Sequence, residues 1–517
     1  MASTTAETKD SAAITVPEML CGRRKILSSV DALTPDNLIA TVNDAISWHG
    51  VNMYEEEYLY WYRRGLQPIL MREKEIRPEI NHKVVNNTYN QAVVFKNGYF
   101  LTKPAYYISR KTDETTVDKV AQLNEYLYVC GKNRADNQVI NWFHTVGVGV
   151  LYVEPDRDGS EDTPFHVYAL DPRQAFVVYS TRPGNRPLFG VNLVQVGSEY
   201  MIDVFTPDTV YHLAGGAAAR TVEAYRMTSL PTATNVISAE PNVIGKIPMV
   251  EYVYNENRMA APEAAVPLMD AYNDVESNRL DSIEQFVQSL IVTYNCEFET
   301  GTTANTIRQY GMVNLKSNGE NKADIKIMSE VLDQDQTQTT LDNLYEQIMD
   351  KCGVPYSDRT GGSTSDNGTA VYLRNGWASA DTDARNTEDL FHESNRYFDE
   401  IMLEILRRRT GLDLGIDDFE LKIDRNSTAN LLTKTQAALN MKQLGLSPQI
   451  ALERSGLSND PLKDIEMSKD YIFKIWNAEQ GGALNYAEQM TEDTIDDTIN
   501  DRSADEAVEE GDGAEID

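Results

Sequence analysis

The chain has 517 residues, long enough for several domains, and its 41% apolar and 25% charged content suits folded, globular structure. Its formal net charge is -33, from 47 basic and 80 acidic residues, which excludes the basic footprint of a protein that grips nucleic acid. Four scattered cysteines, Cys21, Cys130, Cys296 and Cys352, form no C-x-x-C pair, so neither a disulfide framework nor a zinc site is indicated and reduced thiols are expected. There is no signal-type apolar segment and no run of about eighteen apolar residues, so a soluble chain that is not exported and does not enter a membrane is expected.

In chain order, residues 1–13 are small and polar and are expected to be disordered. Thr34-Pro35-Asp36 predicts a helix start, with an N-cap, a proline at the first position and an early acid. Asn52 with Glu55 predicts the start of another helix, on which Tyr54, Tyr58, Trp61 and Tyr62 make an aromatic stripe beside Arg63 and Arg64. Aromatics next to arginines can stack on bases, but at helical spacing they more often pack in a core. A third helix is predicted after Pro78, ending near Asn97-Gly98, and a fourth from Val117 to Val129. From Val146 the pattern alternates: Val148 to Tyr152, Phe165 to Leu170, Phe176 to Tyr179, Gly190 to Val196, Tyr200 to Phe205, Val210 to Leu213 and Val222 to Met227 predict a meander of short strands.

Ile247 to Tyr252 predicts a strand feeding an amphipathic helix that reaches from Pro262-Glu263 to about Ile291. On it Leu268, Tyr272, Val275, Ile283, Phe286 and Leu290 share one stripe, while Asp270, Asp274, Asp281 and Glu284 fall within about 80° of one another on the opposite stripe. A second helix, Asp335 to Cys352, repeats the design, with Leu341, Leu344, Tyr345 and Ile348 on one face and Asp335, Asp342, Glu346 and Asp350 on the other. Gly353 and Pro355 stop it. Between the two lie short strands and one short helix. A Gly, Ser and Asp stretch from Tyr356 to Gly368 has no apolar anchors and predicts a mobile loop. A helical pattern then runs from Thr369 to Arg409, roughly 60 Å at a rise of 1.5 Å per residue, with Gly376 a possible kink. Arg407, Arg408 and Arg409 suit the C-terminus of that helix better than a phosphate site. Asp418 to Gly481 predicts one strand and then helices capped at Ser447-Pro448 and at Asn459-Asp460-Pro461. The stretch after Thr491 carries twelve acids and Arg502 alone of the bases, a solvated tail of net charge -11.

No phosphate-cradling Gly-x-x-x-x-Gly-Lys-Ser/Thr loop surrounds Gly131-Lys132 or Gly245-Lys246, which argues against an ATPase motor subunit. The run Glu154, Asp156, Asp158, Gly159 imitates a calcium loop but has Phe165 where a bidentate Glu belongs, so it is expected to be a hairpin turn. The histidines show no paired zinc spacing, and no Gly-x-Ser-x-Gly elbow occurs. These absences predict a protein that is not an enzyme and needs no cofactor or metal.

Four segments carry a resemblance: Asn81-His82-Lys83-Val84-Val85-Asn86-Asn87-Thr88-Tyr89 with Gly98 to Pro104; the Ile247-Pro248 strand with Asp270-Ala271-Tyr272; Gly361 to Ala370 before the long helix; and Leu446 to Leu452 with Asp464-Ile465-Glu466. In this order and at these separations they resemble the portal proteins of tailed bacteriophages. The resemblance implies an α+β, multi-domain phage-portal fold. Its parts would be a wing (14–246, helices then a β meander, joined by a long kinked helix at 369–410), a stem (strand and first helix 247–290, second helix 335–353) and a small α/β clip (291–334). A tunnel loop (354–368), an α-helical crown (411–481) and an acidic disordered tail (482–517) complete it.

By the same resemblance the chain forms a homo-oligomeric ring, a dodecamer, at the capsid vertex of the virion, assembled in the host cytoplasm. Double-stranded DNA would pass through it without sequence specificity during packaging and ejection. Its partners would be the terminase large subunit, a head-tail adaptor, and the scaffold and major capsid proteins. The resemblance makes the stem acids Asp270, Asp274, Asp281, Glu284, Asp335, Asp342 and Glu346 candidates for the channel wall. The tunnel loop would use Asp358, Gly361, Gly362, Ser363, Asp366 and Gly368, and Leu268, Tyr272, Val275, Ile283, Phe286 and Leu290 would pack between subunits. The rival readings are a metal-dependent carboxylate hydrolase or nuclease, or another capsid-associated scaffold protein.

Overall fold

A computed structural model describes residues 22–468 except 76, 157–162, 198, 217–229, 288–289, 295, 299–314, 318–323, 329–333, 357–375, 424–430 and 459–460. The terminal tails, the tunnel loop beyond Tyr356, the Asp158-Gly159 turn, the Val222–Met227 strand, the short helix expected between the two acidic helices and the Asn459-Asp460 cap therefore lie outside the described residues. The chain divides after Thr428 into two units, both mixed or helical in content.

In the first unit, helix α1 (Leu38–Arg63) serves two cores. Its first half, through Leu38, Val42, Ala45, Ile46 and Met53, packs on a six-stranded sheet. That sheet holds the predicted meander strands β5 (Ala175–Ser180), β6 (Pro187–Val196), β7 (Glu199–Phe205) and β8 (Thr209–Gly215), and continues to β9 (Ala233–Pro241), which the alternation does not indicate; the five pair in sequence order. A short strand, β1 (Ile26–Ser28), adds to β5 in parallel. The second half of α1, with Tyr58, Leu59 and Tyr62, packs against α2 (Thr88–Phe100) and the elements discussed below.

Two helices were predicted where α1 is one. Asn52 and Glu55 have the spacing of a helix start, yet both are buried in mid-helix and spend their polar groups on remote chain. The Asn52 amide accepts from Arg24 N at 2.8 Å and donates to Arg24 O at 2.7 Å, and Glu55 meets Arg23 at 3.0 Å. A cap looks the same in sequence as a long-range hydrogen-bonding pair.

The largest core lies between α2, α3 (Glu114–Val129), α4 (Lys132–Val146), a three-stranded sheet and α7 (Trp377–Arg409). The sheet takes β3 (Val148–Pro155) and β4 (Phe165–Leu170) out of the predicted meander and pairs β3 with β10 (Met249–Val253). Phe391 of α7 meets Phe100 edge-on at 5.9 Å and Tyr252 at 4.8 Å. At the expected kink Gly376, with φ +79°, is the N-cap of α7, a left-handed position that costs glycine little; the predicted helical residues before it, 369–375, lie outside the described residues. The three arginines at the far end are held by Glu404 and Asp413 and by the carbonyls of Val243 and Asp156, as suits cations at a helix C-terminus.

Helices α5 (Val266–Val287) and α6 (Gln334–Lys351) are the predicted acidic pair. Between them β11 (Leu290–Tyr294) pairs with β14 (Asp324–Met328), and β12 (Cys296–Phe298) with β13 (Leu315–Ser317), both antiparallel. Leu290, placed on the helix by its spacing, starts β11 instead. The strand β15 (Phe419–Lys422) pairs with β2 (Tyr106–Ser109), which ties it to the first unit by backbone hydrogen bonds. The second unit holds α8 (Leu431–Gln443), α9 (Pro448–Ser455) and α10 (Pro461–Met467), and Ser447 caps α9 through Ile450 N with Pro448 behind it, as its sequence predicts.

Candidate channel helices and the strap that holds them

Helices α5 and α6 run antiparallel: Tyr272 lies 6.3 Å from Tyr345, and seven residues further along α5, Arg279 Nη1 donates to Gln338 Oε1 at 2.7 Å. The apolar stripe predicted for α5 is only half covered. Leu268, Tyr272 and Val275 are partly buried, and Ile283 is 40% exposed. The side chains of Phe286 and Leu290 lie outside the described residues.

The fully buried face of α5 is a polar one. Asn273 and Ser277 are 0% exposed and Asp281 is 3% exposed, and together with Val266 and Met269 they trace a single stripe that overlaps the predicted acidic one at Asp281. Against this stripe runs the segment from Asn81 to Asn87, which the sequence assigns to a helix and which the structure shows as an extended strap; α2 begins only at Thr88, capped by Asn87. The backbone N–H of His82 donates to Asp281 at 2.7 Å, that of Val84 to Ser277 at 3.0 Å and that of Asn86 to Asn273 at 2.8 Å. The Asn273 amide also donates to Gln67 at 2.5 Å.

The register follows from geometry. Two residues of extended chain span about 6.6 Å and four residues of helix rise about 6 Å, so every second strap N–H meets every fourth helix side chain. Each bond satisfies a backbone donor that would otherwise be buried unpaired. Apolar periodicity is blind to such a face, because burial here is compensated by hydrogen bonds and not by apolar contact. The visible signal, Asn273-x-x-x-Ser277-x-x-x-Asp281, is too common in helices to single out.

The seven candidate acids are therefore not equivalent. Asp281 is closed inside: Arg72 Nη2 donates to it at 2.6 Å, Lys74 bonds the same oxygen, and the His82 ring lies at 2.9 Å. Burial works against its charge, but the hydrogen bonds from Lys74 and His82 win and hold its carboxyl down at about 2. Asp270 accepts the Tyr62 hydroxyl at 2.8 Å, and burial, reinforced by Asp274, pushes it up to about 6. Glu284 is 3.6 Å from the His82 ring, and Asp274 is exposed. On α6, by contrast, Asp335, Asp342 and Glu346 are all exposed. Gln338 donates to Asp342 and the Tyr356 hydroxyl to Glu346, both neutral partners, and among the described residues none of the three acids pairs with a cation. The aromatic stripe of α1 is core where it is most apolar: Tyr58 and Tyr62 are 6% and 0% exposed.

A model of the phage portal protein family, SPP1 Gp6-like, matches residues 45–472, well over half of the chain. The chain belongs to this portal family. The match runs from within α1 through α10, including the strap, both acidic helices and the helices of the second unit. Portal proteins are structural, virion-associated components, and that coarse role follows from membership. A solved structure, the neck of an empty GTA particle computed with C6 symmetry, is similar at 13% identity and TM-score 0.40, covering 72% of this chain and 91% of its own. A search of curated proteins returns no match. Among the described residues no helix is long and apolar enough to cross a membrane.

Proposed function

We propose that this portal protein assembles into a ring, a dodecamer, at the capsid vertex and forms the channel for double-stranded DNA during packaging and ejection. Helices α5 and α6 form the stem, β11 to β14 the clip, α8 to α10 the crown, and the preceding helices and sheets with α7 the wing. The loop with Asp358, Gly361, Gly362, Ser363, Asp366 and Gly368 narrows the passage. The terminase large subunit, a head-tail adaptor, and the scaffold and major capsid proteins dock on the ring. The half-covered face of Leu268, Tyr272, Val275 and Ile283, continued by Phe286 and Leu290, packs on the neighbouring subunit.

One observation carries the choice of channel wall: α6 displays Asp335, Asp342 and Glu346 without a cation, whereas Asp270 and Asp281 of α5 are already engaged inside the chain. A wall of uncompensated acids gives passing phosphates no counterion to exchange with, so DNA meets no deep wells as it slides. Replacing the three α6 acids with lysine should slow packaging in vitro, most at low salt, because screening weakens the new attraction as salt rises. A packaging rate equal to the parent's at low salt would rule out the α6 wall. Electron microscopy of the same variant should still show rings with an axial hole.

A further inference from the structure

Where α1, α2 and α4 meet, a cleft of about 420 Å³ opens with Arg63 and Arg64 on one side and Trp142 on the other. Four other arginines drawn into the fold, Arg23, Arg72, Arg173 and Arg258, each meet a carboxylate. Arg63 is partly buried and meets only neutral groups: Asn90 Oδ1 at 3.2 Å, Asn141 Oδ1 at 2.8 Å and Thr145 Oγ1 at 2.6 Å. No acid lines the cleft among the described residues, and burial pulls the Arg63 guanidinium below its usual range. A cation left without an acid, in a chain with 80 of them, is a mismatch that a ligand can correct.

The hydrogen bonds also fix which kind of ligand. Arg63 uses the amide oxygens of Asn90 and Asn141, which turns their NH2 groups outward. The Thr145 hydroxyl donates to Asn141 O, and Arg64 spends Nη1 on the Tyr60 hydroxyl at 2.7 Å while its guanidinium stays exposed. Among the described residues no bond is made by Arg63 Nη2 or by either Asn NH2 group, so the spare polar groups of Arg63, Arg64, Asn90 and Asn141 are all donors. A donor-only cleft with two guanidiniums and an indole wall suits a carboxylate on a short apolar stem, held bidentately. Duplex DNA does not fit: two cations in a concave cleft make no phosphate track, and the net charge of -33 repels it.

We infer that this cleft receives an Asp or Glu side chain from a second copy of this chain, an assignment of occupant that rests on the ring reading above. The charge balance supplies the donor of that side chain, since each copy carries 33 more acids than bases. One turn beyond Asn90 on α2, Val94 is 56% exposed beside the cleft.

The test uses the full chain and the exposed Arg64→Glu variant, checked for an unchanged melting curve, with labelled hexaglutamate and hexaglutamine as probes. Hexaglutamate should bind the parent by fluorescence anisotropy and lose at least tenfold in affinity to R64E, while hexaglutamine should bind neither. Self-association measured by sedimentation should also weaken at least tenfold in R64E. Equal binding of the two peptides, or undiminished hexaglutamate binding by R64E, overturns the site. Unchanged self-association in R64E overturns the second copy as occupant. A parent chain that does not self-associate at all would overturn the ring and the second copy together, and the peptide arm would still decide the cleft.

Discussion

A carboxylate that receives an arginine, a lysine and a backbone N–H at one place stays ionised far into acid, and Asp281 does this at a carboxyl held at about 2. The unfolded chain, with Asp near its ordinary 3.8, takes up the proton first as pH falls. The stability contributed by Asp281 is therefore complete above about pH 4 and is lost as pH falls toward about 2. Asp281→Ala should lower stability by roughly 1–3 kcal/mol, because it strands the His82 N–H and two cations. The check is a urea melt at pH 7 and at pH 3: the gap between parent and variant should narrow at the lower pH, and a gap that is constant or wider would remove Asp281 from this role. Asp270 has the opposite sign. Its carboxyl, raised to about 6, binds a proton more tightly when folded, so its ionised form works against the fold above that pH. Asp270→Asn is expected to cost little at pH 7.

At the scale of elements, the strap and α5 act as one unit through three backbone bonds made to Asn273, Ser277 and Asp281. Ser277→Ala removes little more than the hydroxyl that accepts the Val84 N–H, which should cost about 1–3 kcal/mol. Amide exchange at Val84 should quicken at least tenfold, with the β5–β9 meander unaffected; protection retained at Val84 would show that the ladder does not hold the strap. Helix α7 is held differently. Phe391, 1% exposed between Phe100 and Tyr252, is apolar cargo, so Phe391→Ala should cost about 3–5 kcal/mol through the lost contacts and the cavity.

For the whole molecule, the half-covered side of α5 sets an expectation about assembly. Ile283 is 40% exposed, and Leu268, Tyr272 and Val275 on the same stripe are only partly buried, on a helix whose opposite side is already closed by the strap. Covering them takes another subunit on the ring reading. Ile283→Asp should lower ring yield in native mass spectrometry while leaving the monomer's melting point within a few degrees. Rings at parental yield would mean that this side is not the subunit contact.

Local and periodic features were legible in the sequence. The meander from β5 to β8, the strand at β4, the cap at Ser447-Pro448 and the acidic pair of helices follow from alternation, turn residues and the 3.6-residue repeat, which the backbone imposes wherever it is used. Family membership was legible too, because it lies in the order of segments along the chain. The candidate acids could be named from spacing, but not sorted. Whether an acid faces solvent, as Asp342 does, or closes on Arg72 and Lys74, as Asp281 does, depends on partners some two hundred residues away. The same holds for Asn52, which imitates a cap, and for the strap, which imitates a helix. Hydrophobic periodicity records which face avoids water, whereas only the tertiary structure decides where a buried polar face finds its hydrogen-bond partners.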